Sequence, residues 1–358
     1  MSGIGRAMVF DGPGKPLRPV EVPLPTPGPG EVLVRVEMCT LCGSDLHTYF
    51  GRRSGPTPVV LGHEIIGQIE RLPEQDIPLS YTKERLSLGD RVIWSIATSC
   101  SNCFFCRHDL PQKCERGSKY GHTAFAVSEL SGGLATHCLL RAGTTICRVP
   151  ERMPAGVACP AGCATATVAA TFARLGPSQD ESMLIFGAGM LGLTASAYAK
   201  ASWSGAVLVI DPDEGRRRRA RLFGANRAEL PENLDVSARD IAGPHGFDCV
   251  IDMSGAEPAL KAGLTHVRTG GRIAWVGSVF PGPPVPVSAE SLVRKELSLF
   301  GVHNYRPADL VSALSTLALN QLTYPFADLV SATFPLDRAD DAFHVAATGE
   351  HVRVAVLP

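Results

Sequence analysis

The stretch from Ser182 to Asp211 constrains the fold of this chain more than any other: an apolar run, Gly187-Ala188-Gly189-Met190-Leu191-Gly192, a small-residue helical segment, and a second apolar run ending in an acid. Met183–Phe186 reads as a buried strand, the segment to about Lys200 as a helix, and Ala206–Ile210 as the next strand. A G-x-G-x-x-G alone means little. Between a strand and a helix, with Asp211 placed 19 residues past the last glycine, it has the context of the dinucleotide fingerprint. Gly187 permits the tight turn, Gly189 lets backbone approach a pyrophosphate, and Gly192 lets helix and strand pack closely. Met190 and Leu191 open the helix whose free N–H groups face the phosphates. Asp211 can accept hydrogen bonds from both ribose hydroxyls and repels a 2′-phosphate, so the expected cofactor is NAD rather than NADP. The plain alternative is a glycine-rich βα turn that binds nothing.

Around this stretch, from about Pro154 to Phe300, Ala-rich helical segments alternate with apolar strands, Cys249–Asp252 and Arg272–Val276 among them, as in a parallel α/β sheet. Residues 1–150 instead read as mostly β. Glu31–Glu37 alternates, and Val59–Leu61, Ile65–Ile69 and Arg91–Ile96 are short β-type runs. Pro and Gly crowd residues 12–30, which points to an irregular lead-in. The last sixty residues return to mixed character, with helices near Pro307–Leu319 and Asp337–Thr348 and a closing strand, Val352–Leu357. Eighteen residues between Glu70 and Gly89 make a longer surface loop than a strand connection needs.

The 358 residues carry a net charge of −1, which argues against nucleic acid or an anionic membrane as partner. No apolar run reaches membrane-spanning length and no signal peptide is evident, so the expected location is the cytoplasm. In that setting eleven cysteines point to metal rather than to disulfides. Cys100, Cys103, Cys106 and Cys114 follow C-x2-C-x2-C-x7-C, and four thiolates so close can enclose one zinc with no position left for substrate. Cys42, in Cys42-Gly43-Ser44-Asp45-Leu46-His47, and His63, in Gly62-His63-Glu64, suggest together a second, open zinc site, with Cys163 as its third ligand.

These residues carry a family resemblance along the whole chain. The Cys42–His47 and Gly62–Glu64 motifs, Gly89-Asp90-Arg91-Val92, the four-cysteine lobe and the dinucleotide fingerprint resemble the zinc-dependent medium-chain alcohol dehydrogenases. The resemblance implies an α/β protein: a GroES-like β-rich catalytic domain with a structural zinc lobe at 1–154, a Rossmann doubly wound parallel-sheet NAD-binding domain at 155–297, and a segment, 298–358, that returns to the catalytic domain. It implies two zincs per chain: Cys42, His63 and Cys163 for the catalytic ion, with Glu64 as an alternative ligand and Asp45 behind them, and the four-cysteine set for the structural ion. Cys163 is preferred to Cys159 because Thr167 keeps the family spacing from it, near the nicotinamide. A homodimer or homotetramer is implied as well, with Leu297–Val302 as a subunit-pairing edge. Trp94–His122, Cys163–Phe172 and Gly301–Tyr305 are similar to a narrower branch, the phosphonate-catabolism-associated alcohol dehydrogenases.

The expected reaction is reversible hydride transfer between an alcohol and NAD, giving an aldehyde or ketone, with a hydroxyalkyl- or oxoalkylphosphonate as the narrower substrate. Ser44 takes the alcohol proton, the cofactor ribose passes it on, and His47 releases it to solvent. Arg216, in the run Arg216–Arg219, stacks on adenine; the same arginines are the main threat to the NAD expectation, since they could hold a 2′-phosphate. His122 and His303-Asn304-Tyr305 are candidates for substrate contacts. Two other readings stand beside this one: a polyol or sugar-alcohol dehydrogenase on the same scaffold, and a non-catalytic NAD-binding structural or regulatory protein.

Overall fold

The computed structural model describes residues 3–126, 130–202 and 205–358. The chain runs through β1 (Ile4–Phe10), β2 (Arg18–Pro23), β3 (Val32–Thr40), α1 (Gly43–Tyr49), β4 (Val59–Val60), β5 (Glu64–Arg71) and β6 (Arg91–Trp94). A cysteine-rich loop carries the one-turn α2 (Phe104–Arg107), and β7 (His137–Leu140), β8 (Ile146–Arg148), α3 (Ala155–Ala158) and α4 (Ala164–Leu175) follow. The α/β alternation is β9 (Met183–Phe186), α5 (Met190–Ser202), β10 (Val207–Ile210), α6 (Glu214–Leu222), β11 (Arg227–Glu229), α7 (Leu234–Ala242), β12 (Phe247–Asp252), α8 (Glu257–His266), β13 (Val267–Trp275), α9 (Ala289–Arg294) and β14 (Ser298–Gly301). The chain ends with α10 (Pro307–Asn320), β15 (Val330–Pro335), α11 (Ala339–Ala347) and β16 (Arg353–Leu357).

Two compact units result, one of residues 1–166, 306–318 and 326–358, the other of residues 167–305 and 319–325. The first holds a three-stranded sheet ordered β2-β1-β4 and a seven-stranded sheet ordered β15-β16-β3-β5-β6-β8, with β7 also paired to β3. β2 lies inside the Pro/Gly-rich lead-in that the sequence marks as irregular. It forms because it is an outer strand, where Pro19 and Pro23 need supply no N–H to a second neighbour.

Two long-range pairings matter for the site. β3 runs antiparallel to β5 with Thr40 opposite Glu64, and β16 runs antiparallel to β3 with Ala355 opposite Thr40. The last strand of the chain thus lies beside residues from the first fifth of it. Helix α11 reinforces the return: the ring of Phe343 stacks on Tyr49 of α1 at 4.1 Å, and the Tyr49 hydroxyl donates to Asp340 Oδ1 at 2.6 Å. Such a ring pair contributes roughly 0.5–1.5 kcal/mol beyond its buried area.

The second unit holds a six-stranded sheet ordered β11-β10-β9-β12-β13-β14, parallel throughout. Its order reverses at β9, the strand that precedes the glycine-rich turn, which is the topological switch point of a doubly wound dinucleotide-binding sheet. β14 is the terminal strand of this sheet. No single helix among the described residues is long and apolar enough to cross a membrane.

Candidate active site

The site begins at the end of β3, where Cys42 caps α1. Asp45, one turn in, accepts a hydrogen bond from the Cys42 N–H at 3.0 Å and, with its other oxygen, from the Gly62 N–H at 3.3 Å. That second oxygen also meets His63 Nδ1 at 3.0 Å. These contacts allow a carboxylate to be fully buried, and they fix the His63 ring so that Nε2 points away from Asp45. Gly62 has φ +88, and a Cβ there would stand 2.4 Å from Cys39 Sγ, so the turn that presents His63 requires glycine.

Cys163 arrives from the other side, between the short helical turn Cys159–Gly162 and α4. The ligand atoms of Cys42, His63 and Cys163 all lie within 4.8 Å of one another. Cys42 is held well below the ordinary thiol range, first by a hydrogen bond from Cys163 and, against its burial, by the charges of Arg353 and His63. The same hydrogen bond and burial push Cys163 well up. Burial works against a charged His63 ring, but Asp45 and Cys42 outweigh it and raise its pKa. Two sulfurs and an imidazole nitrogen at this spacing fit zinc, and three protein ligands make an open set. Cys159 does not join them: its Sγ faces the Glu64 carbonyl at 3.1 Å, and burial pushes it up to about 12.

Glu64, next in sequence to His63, points elsewhere. Its Oε2 accepts from Thr40 Oγ1 at 2.7 Å and from Arg353 Nε at 2.8 Å, and its Oε1 accepts from a terminal Arg353 nitrogen at 2.9 Å. That same arginine nitrogen stands 3.7 Å from Cys42 Sγ. Neither Arg353 nor Thr40 stands out in the sequence as a site residue. The available signal was an arginine in an otherwise apolar closing strand, where a charge must find a buried partner.

Ser44 and His47 share α1, three residues apart. Ser44 Oγ lies 3.4 Å from His63 Nε2, at the edge of the metal triad. Burial, then the charge of Arg52, lowers the His47 pKa. His122 packs its ring on His63 with centroids 5.0 Å apart, and burial pushes it down to about 3.

The sulfurs of Cys100, Cys103, Cys106 and Cys114 form the second cluster, again within 4.8 Å of one another. Cys103 caps the start of α2, Cys106 lies within it, and Cys114 follows the turn Pro111–Lys113. Backbone N–H groups of Cys106 and Glu115 lower Cys103 to about 6, while burial and its sulfur neighbours raise Cys106 to about 11. All four cysteines are free thiols, and four sulfurs close a tetrahedral shell around zinc.

In the second unit the glycine turn meets its own steric test. Gly187 has φ +90; a Cβ on Gly192 would stand 1.8 Å from the Gly187 oxygen; a Cβ on Gly189 would meet nothing within 4 Å. Gly189 therefore borders open space at the start of α5, as a dinucleotide pyrophosphate requires. Asp211 is 3% exposed and works within the turn: Oδ2 accepts from the Ala188 N–H at 2.7 Å and Oδ1 from the Asp213 N–H at 2.9 Å. The Arg216 N–H is capped by Asp213 at 2.7 Å, and Arg217 donates to the Asp211 carbonyl at 2.9 Å. Met190 is buried and Leu191 half-buried in the first turn of α5. Thr167 is buried one turn after Cys163, and its carbonyl accepts from Thr171 Oγ1 at 2.8 Å.

Comparison with known proteins shows what the chain is similar to. Residues 28–151 match the alcohol dehydrogenase GroES-like domain and residues 191–318 the zinc-binding dehydrogenase family. The chain is 30% identical over 346 residues to a sorbitol dehydrogenase of Halalkalibacterium halodurans, covering 94% of each. It is 32% identical over 299 residues to an L-threonine 3-dehydrogenase of Pyrococcus horikoshii, covering 81% of this chain and 80% of that one. Among solved structures, an alcohol dehydrogenase of Thermotoga maritima superimposes with a TM-score of 0.92 at 27% identity, covering 99% of this chain and all of the other.

Proposed function

The chain belongs to the zinc-dependent medium-chain alcohol dehydrogenases, enzymes that use zinc and NAD(P), and from that premise we propose that it oxidises a small alcohol reversibly with NAD at the Cys42–His63–Cys163 site. The observation that carries this reading is the convergence of those three ligand atoms within 4.8 Å, with the His63 ring oriented by buried Asp45. Zinc held by Cys42, His63 and Cys163 would supply Lewis acidity toward an alcohol oxygen, and NAD held at the glycine turn would supply the hydride acceptor.

The chain's own residues do the rest. Asp45 holds His63 so that Nε2 faces the two sulfurs. Ser44 Oγ, 3.4 Å from that nitrogen, would accept the alcohol proton while giving up its own hydroxyl proton, and His47, whose pKa is lowered by burial and then by Arg52, is the group on the same helix that would release a proton to solvent. Arg353 holds the Glu64 carboxylate and adds positive charge beside Cys42, which favours the thiolate a metal needs. Glu64 serves as an exchange ligand only when it leaves Arg353. The Cys100–Cys103–Cys106–Cys114 set holds the structural ion.

The Asp211 carboxylate at the end of β10 supports NAD over NADP, because it places a negative charge where a 2′-phosphate would go; Arg216, half-buried at the start of α6, supports an adenine contact. The segments Trp94–His122, Cys163–Phe172 and Gly301–Tyr305 support a hydroxyalkyl- or oxoalkylphosphonate as the narrower substrate. The test is zinc content together with NADH formation on 2-hydroxyethylphosphonate, sorbitol and simple alcohols. Two zincs per chain are expected, with NAD-dependent turnover that Cys42→Ala or His63→Ala abolishes. Turnover that survives both replacements sinks the assignment of the site, and turnover confined to sorbitol sinks the phosphonate substrate.

A further inference from the structure

A cavity of about 350 Å³ lies in the second unit, between α8 and the segment that contains α9. It shares no residue with the glycine turn or with either cysteine cluster. Its volume is at the low end of the roughly 300–1,000 Å³ of small-molecule pockets. Helical spacing builds its two walls. Lys261 and Leu264 stand three residues apart on α8, and Ser291 and Lys295 stand four apart along α9 and its C-cap, so each pair shares a face. Leu292 lines the second wall, and Leu297, just ahead of β14, completes the lining there. Leu264 and Leu297 are half-buried and pack against the core of this unit, so the apolar side of the cavity is continuous with that core.

Its polar side carries one sign of charge. Lys261 and Lys295 line the cavity, and among the described residues no carboxylate does. Lys261 is already engaged, in an ion pair with Glu257 one turn before it on α8. Lys295 is not. It is half-buried, and among the described residues its side chain pairs with no acid and makes no hydrogen bond to protein. His266, which feels the Lys295 charge, is engaged by Asp235 at 3.1 Å. The Ser291 hydroxyl is half-buried and likewise has no protein partner among the described residues, because the Ser288 hydroxyl caps α9 through the Ser291 N–H instead. An ammonium and a hydroxyl left without protein partners, one turn apart and beside leucine side chains, suit a ligand with one anionic end and an apolar body. A phosphate dianion calls for more than one free cation, and Lys261 is shared with Glu257.

We propose that this cavity binds a small amphiphilic carboxylate, its anionic end on Lys295 and Ser291 and its hydrocarbon body on Leu264, Leu292 and Leu297. The site lies outside the hydride-transfer chemistry and does not depend on it.

Titration calorimetry on the full-length, zinc-loaded protein tests it, with hexanoate as the probe and acetate as the probe without an apolar body. Three variants locate the binding. Lys295→Met removes the charge, Lys295→Arg keeps it, and Thr265→Trp fills the cavity from an exposed lining position. Thermal unfolding of each variant checks that it is folded. Wild type is expected to bind hexanoate, and acetate at least tenfold more weakly. Lys295→Met is expected to weaken hexanoate binding about tenfold, Lys295→Arg to restore most of the loss, and Thr265→Trp to abolish binding. No hexanoate binding by wild type overturns the proposal, whether the cavity stays empty or a second copy of the chain covers it. Binding that is unchanged in Lys295→Met and Thr265→Trp also overturns it, because hexanoate is then held elsewhere, the metal site included. Equal affinity for acetate and hexanoate overturns it as well, since Lys295 then acts as a surface charge with no pocket behind it.

Discussion

Arg353 and Glu64, 289 residues apart in sequence, form a buried ion pair through two hydrogen bonds of 2.8 and 2.9 Å. The pair exists because β16 lies on β3 and β3 on β5, so Arg353, the first residue of β16, meets Glu64, the first residue of β5 and the last of the Gly62-His63-Glu64 motif. Side-chain exposures of 8% and 0% leave neither charge any water to fall back on.

Replacing one partner of this pair is therefore expected to be costly. Arg353→Met leaves the Glu64 carboxylate buried against Thr40 alone and is expected to lower unfolding stability by roughly 3–5 kcal/mol. The double variant Arg353→Met with Glu64→Gln is expected to recover much of that, because no uncompensated charge remains. Urea unfolding midpoints check this. Equal stability of the single variant and wild type would mean that Glu64 finds another partner.

The two metal clusters are expected to lose their ions independently. They use separate side chains, Cys100, Cys103, Cys106 and Cys114 in one and Cys42, His63 and Cys163 in the other. Cys103→Ser removes a ligand from a four-sulfur shell and is expected to halve the zinc content, leaving about one ion per chain. Cys42→Ser is expected to halve it as well and to abolish turnover. Elemental analysis of the purified variants, before and after brief exposure to a chelator, reads the result. A Cys103→Ser protein that retains its full zinc complement contradicts the assignment of the lobe.

The glycine turn separates fold from ligand. A methyl group on Gly192 would stand 1.8 Å from the Gly187 oxygen, so Gly192→Ala must push strand and helix apart, at a cost of about 1–3 kcal/mol in stability. A methyl group on Gly189 meets no protein atom within 4 Å, so Gly189→Ala is expected to change stability by less than about 1 kcal/mol while weakening NADH binding about tenfold or more. Thermal unfolding and fluorescence titration with NADH, done on both variants, distinguish them. Unchanged NADH affinity in Gly189→Ala would place the pyrophosphate elsewhere.

Much of this was legible in the sequence, for a physical reason. The glycine turn, the flanking strands β9 and β10 and the cysteine lobe are local patterns, in which the residues that act together lie within a few turns of one another. Arg353 was not legible, because its partner is chosen by sheet pairing across the whole chain. β2 was hidden for the opposite reason: prolines mark irregular backbone in general, and only its place at the edge of a sheet makes them harmless. Asp211 was legible as an acid in the right place, but its hydrogen bonds to the Ala188 and Asp213 amides, which tie the acid to the turn itself, depend on the geometry of that turn.

Acid sensitivity is expected from Asp248, at the start of β12. Its Oδ2 accepts from the N–H and the hydroxyl of Ser182, each at 2.7 Å, and its Oδ1 from Arg268 Nε at 2.6 Å; Glu181 and Arg272 lie at the same end of the sheet. Partial burial favours the neutral acid, but Arg268 and Ser182 outweigh it and hold the carboxyl below its ordinary value of 3.8. A folded-state pKa below the unfolded one adds stability that is fully present above the unfolded value and is lost as pH falls through the folded value. Asp248→Asn keeps the shape and removes the charge, so it is expected to be less stable than wild type by about 1–3 kcal/mol at neutral pH. That gap is expected to stay constant down to about pH 5 and to narrow below about pH 4, as wild type loses the same charge by protonation. Urea midpoints of both proteins across this range decide the matter. A gap that persists unchanged into the acid range would mean that Asp248 contributes through packing and neutral hydrogen bonds, and that its ionisation is not coupled to folding.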